Sequence, residues 1–251
     1  FNEFKEKYPD IDYVNTTAFI LKQVYDKSEH EFVIIIDEWD CIVREFSQNQ
    51  KIVHEYLQFL HSLFKSEESQ EFLALGYITG ILPIKKIRDE SALNNFREYT
   101  MIDSKEFTPY FGFTEDETKE LCKKYDMNFE SVKEWYDGYH INNEHMYNPN
   151  SVYQAMLDHS LESYWKNTSA FDTINTFITL NFDGLKEDVM KMLAGERVSV
   201  ITDKFKNDLS VINSRDDALT ALIHLGYLGY DAERRKAFIP NFEVSTAFHL
   251  A

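Results

Sequence analysis

Two adjacent acids, Asp37 and Glu38, directly follow a run of apolar, mostly β-branched residues at positions 32–36. A strand with one exposed face alternates apolar and polar residues, so the unbroken run predicts a strand buried on both faces of a parallel α/β sheet. Ligands of open α/β sheets bind beyond the carboxyl ends of the strands, so the two acids stand where chemistry is expected. There, one carboxylate can hold Mg²⁺ and another can polarise an attacking water.

This arrangement has the form of a Walker B motif. In that interpretation Asp37 is the Mg²⁺ ligand and Glu38 is the residue that activates water. The alternative is a core strand followed by acids that cap a helix. The stretch by itself favours neither interpretation.

A second mostly apolar run, at residues 72–79, ends in Thr79 and Gly80. If the two predicted strands are parallel neighbours, Thr79 lies level with Asp37, where its hydroxyl can sense a γ-phosphate or position a water. The alternative is a turn at the strand end that Gly80 makes possible. Three basic residues follow within positions 81–88, and they either face phosphate or form a solvated surface.

Composition narrows the class of protein. The 251 residues allow one large or two smaller domains, and 43% hydrophobic residues indicate a globular chain. The formal charge of −17 opposes binding to nucleic acid or anionic membranes. Two cysteines, no apolar run long enough for a membrane span and no signal peptide predict a cytoplasmic protein with reduced thiols.

Further elements are predicted from local patterns. Short strands are expected at residues 11–14 and 99–102, and helices at residues 18–24 and 53–64. Capping boxes predict helices that begin at Thr114 and at Ser151, the latter with Gln154 as its third-position partner.

The C-terminal part predicts a helix followed by a hairpin. Ser214 caps the helix, Gly226 ends it, and two apolar segments then flank a charged turn at residues 233–236. This is the shape of a winged helix, which binds DNA in some proteins and other proteins elsewhere. The negative net charge favours a protein contact.

Taken together, an ordered series of motifs resembles the bacterial predicted AAA-ATPase-like family, from about Pro9 to the C-terminus. Many members of that family carry a PD-(D/E)XK nuclease-like domain after the ATPase part. The motifs are Ile-Asp-Glu-Trp-Asp at 36–40, Tyr-Ile-Thr-Gly-Ile-Leu-Pro-Ile-Lys-Lys at 77–86, Ala-Leu-Asn-Asn-Phe at 92–96, Phe-Gly-Phe-Thr at 111–114, Trp-Tyr-Asp-Gly-Tyr at 135–139, Tyr-Asn-Pro at 147–149 and Ile-Pro-Asn at 239–241.

The resemblance implies an α/β P-loop NTPase core at residues 1–110, a helical lid at 111–150 and a helical, winged-helix-like region at 151–251. It implies ATP and Mg²⁺ as cofactors, with a homo-oligomer or another protein as partner. Asp37 is then the Mg²⁺ ligand, Glu38 the catalytic base and Thr79 the phosphate-sensing residue. The candidates for an arginine finger are Arg44, Arg88 and Arg97.

One departure from the family is decisive. A P-loop has the form G-x-x-x-x-G-K-[ST], and the first glycine of this chain is Gly76. We therefore expect a central fragment with an incomplete sheet, little turnover by itself, and residues 99–102 closing up against the strand at 73–79. The alternative function is a non-catalytic regulatory or protein-interaction module with a degenerate ATPase site.

Overall fold

The computed structural model describes residues 2–81, 93–141, 144–164, 170–203, 205 and 212–250. It divides into two compact units, Phe1–Glu98 and Tyr99–Ala251, each a mixture of helices and strands. The basic cluster within residues 81–88, and with it the candidate Arg88, falls almost entirely outside the described ranges. The division into three parts at residues 110 and 150 stays a prediction.

The first unit contains a two-stranded parallel sheet and five helices within the described residues. The sheet pairs Ile36 with Ile78 at its carboxyl edge. In chain order the elements are α1 (Asn2–Lys7), α2 (Thr17–Ser28), β1 (Phe32–Ile36), α3 (Cys41–Glu45), α4 (Gln50–Phe64), α5 (Ser69–Phe72) and β2 (Leu73–Ile78).

Side-chain caps explain where the two long helices of this unit begin. The Thr16 side chain accepts a hydrogen bond from the backbone N–H of Phe19 at the start of α2, and Asn49 does the same for Ile52 at the start of α4. One stripe of α4 is buried, as its apolar spacing predicts. The helices predicted at 18–24 and 53–64 are confirmed; the buried residues of α4 are Leu57, Leu60, Leu63 and Phe64.

The prediction that β1 is buried on both faces is wrong. One face packs on the helices, but Val33 and Ile35 on the other face are 58% and 69% exposed. Leu75 and Tyr77 of β2 continue this open face. The unbroken apolar run still forms a strand. The alternation of apolar and polar residues indicates which faces of a strand are covered, and a strand can form without it.

Two predicted strands are also absent. Residues 11–14 form a turn in which Ile11 is buried without strand pairing, and Thr100 and Asp103 close a tight turn with two backbone hydrogen bonds. The expected closure of 99–102 against β2 is therefore wrong. Within the described ranges β2 pairs with β1 and with no other strand, and no Walker A strand flanks it.

The second unit has helices packed with two three-stranded antiparallel sheets, in the orders β3-β5-β4 and β6-β8-β7. Its elements are a 3₁₀ helix (Lys105–Tyr110), β3 (Phe113–Thr114), α6 (Glu115–Lys124), α7 (Phe129–Tyr136), β4 (Tyr139–Ile141), β5 (Glu144–Tyr147), α8 (Pro149–Asp158), α9 (Ala170–Leu180), a 3₁₀ turn (Phe182–Gly184), α10 (Leu185–Leu193), β6 (Val198–Ser199), α11 (Arg215–His224), β7 (Gly229–Asp231), β8 (Lys236–Phe238) and α12 (Phe242–Leu250).

Of the two predicted capping boxes, the one at Thr114 is confirmed. Thr114 accepts from the backbone of Glu117, whose carboxylate accepts from the backbone of Thr114. The box around Ser151 is wrong, because α8 begins earlier: Asn148 is the cap, and it accepts from the backbone N–H of Ser151 at 3.1 Å. Pro149 in the first helical turn fixes this earlier start.

The helix and hairpin expected near the C-terminus are present. Ser214 caps α11, whose last turn leads into Gly226, and β7 and β8 form an antiparallel pair with β8 central in its sheet. The largest buried apolar cluster of the described residues joins α10, α11 and α12 to this sheet. Within the described ranges, no helix combines the length and the apolar character that a membrane span needs.

Candidate functional site

The parallel register brings the ends of β1 and β2 level with each other. Beyond the last regular pair, the backbone N–H of Thr79 donates to the carbonyl of Ile36, and the N–H of Trp39 donates to the carbonyl of Thr79, both at 2.9 Å. The backbone hydrogen bonds between the two strands thus continue past the ends of β1 and β2. Through them, Thr79 is bonded to Ile36, which precedes Asp37, and to Trp39, which follows Glu38.

Asp37 and Thr79 are in direct contact. The Thr79 hydroxyl donates to Oδ1 of Asp37, and the backbone N–H of Glu38 donates to the same oxygen at 3.1 Å. Both residues are accessible to solvent. The structure therefore brings together a carboxylate and a hydroxyl that the sequence placed on separate strands; the catalytic roles predicted for them stay predictions.

Glu38 adopts an uncommon backbone conformation. Its φ of +51° is left-handed, which is rare for a residue other than glycine, asparagine or aspartate. The turn is closed by a hydrogen bond from the backbone N–H of Cys41 to the carbonyl of Glu38, at 3.0 Å. Such conformations occur at functional sites, but seven other non-glycine residues in the described ranges also have a positive φ, so the conformation alone does not mark a site. The Glu38 side chain is 69% exposed.

Asp40, which was not predicted from the sequence as a site residue, holds this turn in place through buried contacts. Its fully buried carboxylate accepts from Nε of Arg44 at 2.9 Å and from the backbone N–H of Ile81 at 3.3 Å. Asp40 thus links the loop after β1 to the loop after β2. Its i, i+4 spacing to Arg44, in a stretch of three acids, is the sequence signal that could have identified it.

Gly80 is required for close approach and not for a left-handed turn. A Cβ at this position would lie 2.6 Å from the Asp40 carboxylate and from the Trp39 ring. Trp39 is itself buried, and the Tyr56 hydroxyl donates to its carbonyl at 2.8 Å. Burial, with smaller contributions from Cys41 and Asp40, raises the pKa of Tyr56 to about 12, so the hydroxyl stays a donor.

Among the candidates for an arginine finger, Arg44 has a contact with the site. Its guanidinium bonds Asp40 and lies 3.6 Å from the Glu38 carboxylate. These contacts are made within one turn of the same chain, so Arg44 helps to shape the loop. Arg97 is exposed, and Arg88 lies outside the described residues.

The donor atoms of this site suit a magnesium ion. Mg²⁺ takes oxygen ligands, uses one or two carboxylates and keeps several waters. The exposed Asp37 carboxylate and the Thr79 hydroxyl fit that pattern. The 251 residues contain no G-x-x-x-x-G-K-[ST] loop, which is the element that surrounds the phosphates of a nucleotide in P-loop proteins.

The structure is of the mixed α/β class, with a two-stranded parallel sheet. A carboxylate and a hydroxyl lie at the carboxyl edge of that sheet, which is where open α/β sheets commonly bind ligands. Within this class, residues 1–88 match the AAA-ATPase-like family model, described as "Predicted AAA-ATPase". The resemblance inferred from the motifs is confirmed over that segment, which contains Asp37, Glu38 and Thr79, and not over the wider span first expected.

A curated relative matches a longer part of this chain than the family model does. The "Uncharacterized protein in vnfD 5'region" of Azotobacter chroococcum mcd 1 is 21% identical over 152 residues. The match covers 59% of this chain and 29% of the relative, so the chain spans less than a third of that protein. No solved structure matches the chain.

Proposed function

We propose that the first unit, Phe1–Glu98, supplies the Walker B side of an AAA-like ATPase site, which hydrolyses ATP when sequence outside these 251 residues supplies a P-loop. One observation carries the proposal: the Asp37 carboxylate and the Thr79 hydroxyl meet at the carboxyl edge of β1 and β2. The family match over residues 1–88 supports it.

Each residue has a defined task in this proposal. Asp37 holds a Mg²⁺ ion, which when bound neutralises charge on phosphate oxygens. The Thr79 hydroxyl fixes the orientation of the Asp37 carboxylate, and Glu38 orients an attacking water and accepts its proton. Asp40 and Arg44 position the turn that carries the two exposed acids.

The open face of the sheet supports an assembly larger than the first unit by itself. Parallel sheets are normally covered on both faces. Here four large apolar side chains are about half exposed or more, on a sheet whose β2 edge is free within the described residues: Val33, Ile35, Leu75 and Tyr77. We propose that a P-loop strand and its helix cover this edge and face.

We propose that the C-terminal region of the second unit is winged-helix-like. The order α10, β6, α11, β7, β8, with β8 between the other two strands, supports this assignment for the C-terminal region. With a net charge of −17, we assign it a protein partner or a second copy of the chain in preference to nucleic acid.

The open face of the sheet supports a second candidate function. In it, the first unit is a non-catalytic module that binds a partner protein through the open sheet face, and Asp37 and Glu38 are remnants of an ATPase site. The two candidates differ in whether nucleotide hydrolysis depends on these acids.

The test is ATP hydrolysis by a longer form of the protein that carries a P-loop. Asp37→Asn and Glu38→Gln are each expected to reduce kcat at least about 100-fold, because a metal ligand or the water-activating base is lost. Asp26→Asn, an exposed acid of α2, is the control and should keep the parent rate. Calorimetry with the 251-residue chain by itself should detect no micromolar ATP·Mg²⁺ binding.

Hydrolysis at the parent rate by both variants would exclude the Walker B assignment. A longer form without a P-loop and without hydrolysis would select the non-catalytic function.

A further inference from the structure

The second unit brings together two imidazoles and a carboxylate that the proposed ATPase site does not use. One potential ligand atom from each of Asp137, His140 and His145 lies within 4.8 Å of the others. Asp137 directly follows α7, His140 is on β4 and His145 is on β5. The two histidines are direct cross-strand partners, which places their side chains on the same face of the hairpin.

The contacts within the cluster are close. Nδ1 of His145 lies 2.7 Å from Oδ2 of Asp137, and the two histidine rings meet edge to face with centroids 4.3 Å apart. The other Asp137 oxygen accepts from the backbone N–H of Gly138 at 2.6 Å. Because the Asp137 side chain is only 11% exposed, its orientation is fixed before any ligand arrives.

The hydrogen bond between Asp137 and His145 explains why these two side chains lie together. It does not explain why the His140 ring packs against the His145 ring. A ring nitrogen of each imidazole and a carboxylate oxygen of Asp137 lie within 4.8 Å of one another, which supports a role for His140 as a third metal ligand.

The cluster also opens onto space. Asp137 and His140 line a cavity of about 360 Å³ in this unit. Two cations in its wall are each paired with an acid, which reduces their repulsion of an incoming cation: Lys133 with Glu115 at 2.8 Å and Arg197 with Asp231 at 2.7 Å. The chain's net charge of −17 favours the approach of a cation.

We propose that Asp137, His140 and His145 bind one divalent transition-metal ion of the zinc class, with the remaining coordination positions taken by water. Two imidazoles and one carboxylate are a ligand set that Zn²⁺ accepts, and three protein ligands leave at least one open position. Mg²⁺ and Ca²⁺ prefer oxygen ligands, so this nitrogen-rich cluster selects against them.

Metal binding would change the distances between the ligand atoms, which now lie within 4.8 Å of one another. Ligand atoms about 2.0 Å from a tetrahedral ion are roughly 3.3 Å apart. The 2.7 Å separation of Asp137 and His145 would therefore widen by about half an ångström on binding. The His145 side chain is 37% exposed, which leaves it room to adjust.

The experiment is a Zn²⁺ titration of the full 251-residue chain after a chelator has removed bound metal. Calorimetry should show one tight equivalent, and His140→Ala and His145→Ala should each weaken it at least about tenfold. Asp137→Asn should do the same while keeping the oxygen that accepts from Gly138. His249→Ala removes an exposed histidine of α12 outside the cluster and is the matched control.

Co²⁺ in place of Zn²⁺ gives a second readout, since its visible absorption reports on the ligands. The spectrum of the parent should change in both histidine variants, and excess Mg²⁺ should not displace the ion. Asp37→Asn should keep full zinc affinity, so failure of this proposal and failure of the proposed ATPase function are distinguishable.

Two results would overturn the site: parent affinity no higher than that of the His140→Ala/His145→Ala double variant, or an equal loss in His249→Ala. Circular dichroism establishes that each variant is folded. If Asp137→Asn does not fold, the two histidine variants decide the question, because both side chains reach the surface.

Discussion

Removal of the Asp40 carboxylate is the sharpest test of how the turn after β1 is held. The contacts that Asp40→Ala deletes from this fully buried acid include the ion pair with Arg44 at 2.9 Å and the hydrogen bond from the backbone N–H of Ile81 at 3.3 Å. The variant also leaves space beneath Trp39 and Gly80. We expect a lower free energy of unfolding.

The magnitude follows from the burial of the partners. Breaking a fully buried ion pair costs about 3–5 kcal/mol, because the remaining charge is stranded away from water. Arg44 is 25% exposed and regains part of its hydration, which lowers the cost. With the hydrogen bond to Ile81 included, we expect a loss of about 2–3 kcal/mol.

Urea unfolding followed by circular dichroism measures this loss. Asp40→Asn keeps the shape and one acceptor, so its loss should be smaller than that of Asp40→Ala. The matched control is Glu55→Ala: Glu55 pairs with Lys51 at the same i, i+4 spacing on α4, but the two side chains are 65% and 84% exposed. The control should stay within about 0.5 kcal/mol of the parent.

A loss of stability in Asp40→Ala no greater than that in Glu55→Ala would mean that the Asp40 contacts contribute no more than a surface ion pair. The denaturant dependence should be the same in all three variants, since a changed slope would signal a changed unfolded or native ensemble.

Two further predictions concern the second unit. Gly138→Ala should destabilise the chain by more than about 2 kcal/mol in urea unfolding, because φ is +125° and a Cβ would overlap the Pro240 carbonyl, whereas Gly195→Ala, also left-handed but with open space around it, should lose clearly less. Hydrogen bonds from two lysines hold the pKa of Glu115 at about 2, below its ordinary value of 4.5, so it stabilises the fold above pH 4.5 and that contribution is lost as the pH falls through about 2. Glu115→Gln should therefore lower the unfolding midpoint near neutral pH and not at about pH 2; equal effects at both would contradict this account.

The contact between Asp37 and Thr79 could be predicted from the sequence, because it requires only that the two strands be parallel neighbours. Two apolar runs, each ending in a polar residue, form adjacent parallel strands, and the carboxyl ends of such strands share one edge. Helix starts were predicted where a single side chain decides them, as at Thr114. At Ser151 two candidate caps competed, and Asn148 with Pro149 prevailed.

The predictions that were wrong are those in which the burial of a segment depends on other parts of the fold. The run at 32–36 cannot report how many layers cover the sheet, and Val33 and Ile35 face open space within the described residues. Ile11 and Ile102 are apolar because they pack into clusters, not because they pair as strands. In both cases a short apolar segment carried no information about its partner.

The proposed metal site of the second unit shows why the register of a hairpin matters more than the spacing of residues along the chain. His140 and His145 are five positions apart, which matches no helical face, and they become neighbours only because β4 pairs with β5 across that one register. A shift of the pairing by one residue would separate the rings. The site near Asp37 offers oxygen atoms, and this cluster adds two imidazole nitrogens to its carboxylate, so the donor chemistry supports Mg²⁺ in the first proposal and a zinc-class ion in the second.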